Sequence, residues 1–234
     1  MKYPSGRVAL ERALSKRGLA SRSEGRELIR AGDVAVNGRT LTDPLAAVHP
    51  DRDTIEIRGK TATPRVWRTI AFHKPRGTLT TRRDPEGRTT VFDVLGAAGE
   101  GLVAVGRLDY ATSGLLLLTT DTQLAERLTN PRRAVVRRYA VTVRGEVSDD
   151  DRASLARGIA GLRANTVTVR KRSRRETHLL VELTEGKNRE IRRLFDAIDR
   201  PVTRLLRVAY GPIELGRLQP GEWREVTPDE CAGD

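Results

Sequence analysis

The sequence predicts an α+β protein with two parts: a small N-terminal α/β unit, and a larger domain with a mainly antiparallel mixed sheet flanked by a few helices. Three observations predict it. Short strand-like runs far outnumber helical stretches after residue 65. A hairpin signal, Asn37-Gly38, sits inside the first sixty residues. No G-x-G-x-x-G opens a helix after a strand, which removes the main sign of a doubly wound parallel fold.

The first element is a helix with an apolar pattern at Val8, Leu10, Ala13, Leu14 and Leu19. Ser21-Arg-Ser-Glu24 then has the spacing of a capping box, so a second helix starts there and stops at Gly32. On it Arg22, Arg26 and Arg30 repeat at i, i+4 and i+8, while Leu28 and Ile29 take another face. Val34 and Val36 lead into the hairpin, and Ile55 and Ile57 mark a further strand. The expected organisation is a domain over 1–60, a linker at 61–65 within the apolar-poor "GKTATPR", and a second domain over 66–234.

In the second domain strands are expected at 66–73, 102–105, 115–119, 139–143, 167–169, 179–183 and 205–210, and helices at 122–128, 149–158 and 189–198. In the last helix Ile191, Leu194, Phe195 and Ile198 repeat at i, i+3, i+4 and i+7, leaving Arg189, Arg192 and Arg193 on the other side.

Composition narrows the function classes. The chain of 234 residues carries 43 Lys+Arg against 31 Asp+Glu, a formal charge of +12, with 38% hydrophobic residues. This is a folded chain with too many cations for chance, and such an excess points to a polyanion such as nucleic acid. Aromatics at 4% are too few for a broad stacking platform. One cysteine and three histidines leave no zinc site or disulfide, and no nucleotide-cofactor motif is present. No membrane span and no apolar signal core in the first thirty residues are seen, so a cytoplasmic protein is expected.

Chemistry concentrates in Val105-Gly-Arg-Leu-Asp109-Tyr-Ala-Thr-Ser-Gly114 and the apolar run after it. Two glycines bracket a carboxylate at the mouth of a buried strand, the kind of rigidly held loop that carries catalytic groups. The same aspartate could instead cap a turn by accepting backbone N–H groups. Arg107 suits an ion pair or a phosphate. The helical Arg stripe fits either a solvated face or RNA, and Lys16 and Arg17 just upstream favour RNA.

Two resemblances follow from these residues. The run "RVALERALSKRGLASRSEGRELIRAGDVAVNGRTLTD" through "DTIEI" resembles the alpha-L RNA-binding motif named after a ribosomal small-subunit protein. With "FHKPRG" at 72–77, "VGRLDYATSGLLLLTTD" at 105–121, "RRYAVTVRG" at 137–145, "LTEGKNREIRRLF" at 183–195 and "VTRLLRVAYGPIEL" at 202–215, nearly the whole chain resembles the bacterial ribosomal-RNA pseudouridine synthases.

The resemblance implies that Asp109 is the essential catalytic residue, a nucleophile or base acting at the sugar C1′ while uracil leaves, turns and rejoins through C5. It implies Arg192 as basic partner, Tyr139 stacked on the base, and Leu205, beside the similar Leu206, packed against the site. Arg107 would help flip the uridine out, Lys74 and Arg76 would touch the RNA backbone, and Arg189 and Arg193 would add phosphate contacts, as would Lys16, Arg17, Arg22, Arg26 and Arg30. His73 stands where many relatives have Asn, and its alternative reading is a structural histidine.

The isomerisation consumes nothing, so no cofactor and no metal are expected. The expected partner is ribosomal RNA or a pre-ribosomal particle, with 23S favoured over 16S, and the expected state is a monomer. A non-catalytic ribosome-assembly factor on the same fold is the alternative. A nucleoside glycosidase fits less well, because it ordinarily needs paired carboxylates and the motif offers one. The basic block Arg170–Arg175 belongs to no motif.

Overall fold

The computed structural model describes residue 3, residues 6–62 and residues 67–232. By internal contacts the chain divides into two units, one of residues 1–68 with 120–124 and one of residues 69–119 with 125–234.

In the first unit β1 (Val8–Ala9) runs into α1 (Leu10–Lys16), and α2 (Arg22–Arg30) follows. The Ser21 hydroxyl accepts from the Glu24 N–H while the Glu24 carboxylate accepts from the Ser21 N–H, so the capping box closes as the spacing predicts. β2 (Val34–Val36) and β3 (Arg39–Thr40) are joined by Asn37 and Gly38 at φ 51° and 77°, the left-handed pair a two-residue hairpin requires. β4 (Ala47–Val48) pairs with β1, and β5 (Ile55–Ile57) and β6 (Lys60–Thr61) complete a sheet of order β3-β2-β5-β6. Leu10, Leu14, Ile29, Val34 and Ile55 form its fully buried centre.

The expected linker is corrected at its start: Thr61 pairs with Glu56 and the Ala62 N–H donates to the Ile55 carbonyl, so the hairpin extends through 62. Residues 63–65 of that linker, and Val66 of the expected strand, lie outside the described residues.

The second unit contains β7 (Thr69–Lys74), α3 (Val91–Leu95), β8 (Val103–Val105), β9 (Ser113–Thr119), α4 (Thr122–Thr129, grouped from 125 on), β10 (Arg137–Arg144) and α5 (Asp149–Arg157). It continues with β11 (Thr166–Arg172), β12 (Glu176–Leu183), α6 (Glu190–Asp196), β13 (Val202–Tyr210), β14 (Ile213–Glu214), β15 (Trp223–Glu225) and α7 (Pro228–Ala232). Among the described residues its sheet has nine strands in the order β11-β12-β10-β13-β9-β7-β15, with β8 on β9 and β14 on β13. Every pairing is antiparallel except β13 with β9.

Two of the apolar clusters among the described residues pack on this sheet. One packs Leu155 of α5 and Leu194 and Phe195 of α6 onto Val141, Val143, Leu179 and Val181. The other gathers Ile70, Phe72, Val91, Leu102, Leu116 and Leu118. Each such buried side chain contributes about 1.5–3 kcal/mol. Tyr139 packs against both clusters. α6 begins one residue later than its apolar period suggests, because Arg189 takes a left-handed conformation and caps it. α3 was not among the expected helices, although Thr90 and Asp93 form a capping box before it.

Candidate active site

A cavity of about 490 Å³ opens in the second unit, and its wall includes Arg107, Asp109, Tyr139, Arg189, Arg192 and Leu205. Six expected site residues from four separate chain segments therefore meet.

Asp109 lies in the 106–112 loop between β8 and β9, half-buried. Several bonds fix this loop. Leu108 is tied at both its N–H and its carbonyl to the Thr80 hydroxyl, the Gly77 N–H donates to the Tyr110 carbonyl, and the Thr112 N–H donates to the Asp109 main-chain carbonyl. The turn-capping alternative requires the carboxylate to accept a backbone N–H. Among the described residues the Asp109 carboxylate has no hydrogen-bond or ion-pair partner. A half-buried carboxylate on the cavity wall, held by its main chain and left free at its side chain, is available to a substrate.

Arg192 projects from α6 and donates to the Val202 carbonyl at 3.2 Å and to the Ala111 carbonyl at 3.3 Å, so it braces the Asp109 loop from the opposite wall. Burial, with repulsion from Arg189 behind it, lowers its pKa, while the Asp109 charge acts the other way. It remains a cation, as arginine does in proteins.

The structure corrects the expectation for Lys74. It is completely buried, and its ammonium donates to the carbonyls of Pro75 at 3.0 Å and Thr112 at 2.9 Å, so it cannot reach an RNA backbone. Burial pushes its pKa down to about 8, opposed by the Asp109 carboxylate and reinforced by Arg207. Lys74 is a cation beneath the Asp109 loop. Arg76 and Arg193 are exposed and do not line the cavity. His73 is buried and its Nδ1 donates to the Leu218 carbonyl at 2.7 Å, the structural role allowed for it.

Leu205 and Leu206 are separated by strand alternation. Leu205 belongs to the core and cavity face, whereas Leu206 pairs with Ala140 and points to the other face.

Two cavity residues escaped the sequence reading. Arg207 is 2% exposed, its Nε donates to the Leu115 carbonyl, and its Nη2 has no partner among the described residues. Arg137 is nearly as buried and donates to the carbonyls of Leu128, Thr184 and Glu185 and to the Tyr210 hydroxyl. Both guanidiniums lie over the Tyr210 ring, at 5.0 and 4.7 Å from its centroid. The available signal was the pair of arginines inside strand patterns, at positions where alternation points inward. Glu190, also in the wall, is buried, and that burial raises its pKa.

The N-terminal arginines are in the other unit. Arg22, Arg26 and Arg30 are exposed on α2, but Arg26 is ion-paired to the buried Glu11 through both Nε and Nη2. Arg17 donates to the Asp53 carbonyl at 3.0 Å. The stripe is thus partly structural. Among the described residues no three His, Cys, Asp or Glu side chains converge as a metal site, and no helix is long and apolar enough to cross a membrane.

The site can be compared with known proteins. Residues 68–197 match the family described as RNA pseudouridylate synthase, and residues 10–51 match the S4 domain. The chain is 42% identical to the Ribosomal large subunit pseudouridine synthase B of Yersinia pestis, covering 93% of this chain and 72% of that protein. It is likewise 42% identical to the protein of that name from Escherichia coli (strain K12), covering 93% and 78%. A crystal structure of a pseudouridylate synthase superposes with a TM-score of 0.66 at 25% identity, covering 96% of this chain and 98% of the other.

Proposed function

The chain belongs to the RNA pseudouridylate synthase family and carries an RNA-binding S4 domain, and from that premise we propose that it isomerises a uridine of large-subunit ribosomal RNA to pseudouridine, with Asp109 as the catalytic group. The observation that carries this reading is the Asp109 carboxylate, held by loop hydrogen bonds and without a protein partner among the described residues, at the wall of a cavity sized for one nucleotide. The large-subunit assignment rests on the names of the relatives.

The target must leave its helix to enter the cavity, and the unstacking cost is offset by contacts at its destination. Arg107 and Arg189 at the wall suit the phosphates flanking that nucleotide. Tyr139 and Leu205 supply the apolar surface against which the uracil lies. In the reaction the C1′–N1 bond breaks, the uracil turns in place, a C1′–C5 bond forms, and a proton lost from C5 is matched by one gained at N1. Asp109 acts at the ribose as nucleophile or base. It acts there as a carboxylate, with the cations Lys74 and Arg192 close enough to interact with its charge. Burial within the cavity strengthens each of these interactions and keeps the detached uracil from escaping. The expected setting is the cytoplasm and the expected working form a monomer.

Pseudouridine mapping of ribosomal RNA from cells with and without this gene tests the reading. A single uridine of the large subunit should lose its modification and regain it with the wild-type gene but not with Asp109→Asn. Full restoration by the Asn variant would sink the catalytic assignment, and a lost site in the small subunit would sink the substrate assignment.

A further inference from the structure

The basic block Arg170–Arg175 is outside the cavity and outside every motif, yet the sheet gathers it with other cations. Lys171 of β11 is opposite His178 of β12, His178 opposite Thr142 of β10, and Thr142 opposite Arg204 of β13. Directly opposed residues share a face, so Lys171 and Arg204 end one row across four strands, roughly 14 Å long at the usual strand spacing. That face is opposite the one that packs α5 and α6, because the neighbours Val141, Leu179 and Leu205 belong to the core. Arg170 occupies the bulge beside Lys171, Arg174 and Arg175 form the β11–β12 turn, and Arg144 ends β10.

Arg144, Arg170, Lys171, Arg174, Arg175 and Arg204 are all exposed, and among the described residues none has a carboxylate partner. Arg172, by contrast, is engaged by Asp149. The nearby Glu176 carboxylate is held by His178 at 2.9 Å. Clustered unpaired cations repel one another, and an anionic partner relieves that repulsion.

We propose that this end of the sheet is a second RNA-contact surface, taking the phosphate backbone of a ribosomal RNA helix that flanks the target; the proposal rests on the functional reading above. Two features select that partner. The cavity residue Leu183 is six residues along β12 from Thr177, the position opposite Arg172, so the patch is roughly 20 Å from the cavity at 3.3 Å per residue. A nucleotide in the cavity cannot reach so far, whereas a polymer of phosphates can. The stretch from residue 140 to 182 contains no Phe, Trp or Tyr. It therefore offers a duplex its phosphate contacts but no large aromatic platform for unpaired bases.

The test uses the full chain with Arg170, Lys171, Arg174 and Arg175 all changed to Gln, checked for a wild-type melting temperature. Binding is measured against salt on two RNAs: a short RNA carrying the mapped target uridine, and that RNA with its flanking helices. On the longer RNA the variant should bind at least tenfold more weakly near physiological salt, and the slope of log K against log salt should shrink by about 2–3. On the short RNA both quantities should match wild type, and single-turnover pseudouridine formation at saturation should be unchanged on either. Equal binding and slope on the longer RNA would overturn the proposal, as would an equal loss on the short RNA. If the wild type forms no pseudouridine, the functional reading falls, and the same comparison on intact large-subunit RNA still decides whether the patch binds it.

Discussion

Gly114 and Arg207 meet main chain to main chain where β9 and β13 pair in parallel, and a Cβ at 114 would be 2.3 Å from the Arg207 carbonyl oxygen and 2.5 Å from its nitrogen. The contact joins the two halves of the large sheet beside the Asp109 loop. Gly114 also has φ +109°, which an L side chain rarely adopts.

Gly114→Ala should therefore cost about 3 kcal/mol or more, from backbone strain and from parting the two strands. Urea unfolding measures the loss, and activity should fall with it. A variant as stable as wild type would mean the two strands can separate freely here.

Lys74 makes stability depend on alkaline pH. Its folded pKa of about 8 is below its usual 10.5, so between these values the unfolded chain binds more protons and stability rises with pH. The gain attributable to this residue approaches about 3 kcal/mol by pH 10.5, from the shift at 1.36 kcal/mol per pKa unit. Comparing unfolding of wild type and Lys74→Met from pH 7 to 10.5 isolates it: the wild type should gain on the variant as pH rises. Parallel profiles would show that the ammonium is not buried as a cation.

Glu190 has the opposite acid signature. Burial raises its folded pKa, so as pH rises through the unfolded value near 4.5 toward the folded one the native state is progressively penalised. Glu190→Gln retains an acceptor for the Lys187 N–H and removes the charge. The variant should be more stable than wild type at pH 7, with the difference shrinking toward pH 4. Greater stability of wild type at pH 7 would reveal a cation serving Glu190 instead.

The α2 arginines should separate by role. Changing Arg22 and Arg30 to Gln should weaken RNA binding, reduce its salt slope by about 2, and leave melting and saturated single-turnover chemistry unchanged. Arg26→Gln should also lower stability, because Glu11 is buried and depends on Arg26 for its lowered pKa. That contribution of Glu11 is present above its unfolded pKa near 4.5 and is lost as pH falls through its lower folded pKa. Arg192→Lys should do the reverse, slowing chemistry at saturation, since one ammonium cannot brace both the Val202 and Ala111 carbonyls with a planar fork. Identical effects from both sets would refute the division.

Much of this was legible in the residues. Asn37-Gly38 determines a hairpin because few other pairs take two successive left-handed conformations, and Ser21 with Glu24 determines where α2 starts. The Ile191, Leu194, Phe195 repeat shows which side of α6 is buried. The Asp109, Tyr139 and Arg192 segments could be picked out from their motifs. Local chemistry is enough in each case, because the partner atoms are within a few residues along the chain.

Burial of charge was not legible. All six residues of β7, between β9 and the edge strand β15, are buried, so it shows no alternation to betray that Lys74 points inward. A lysine in a basic motif reads as a phosphate contact until the Thr112 carbonyl, 38 residues away, is seen to hold it. Arg207 and Arg137 sit at inward positions of their strand patterns, but the acceptors that make their burial possible come from other strands and loops. The +12 charge likewise indicated a polyanion without saying where it binds. The sequence by itself determined the two-part α+β architecture, the family resemblance and the identity of the motif residues. Only the tertiary structure decided which cations are beneath Asp109, which are bound to Glu11, and which remain unpaired at the sheet end. That division depends on desolvation and on partners brought from distant segments, and no local pattern encodes either.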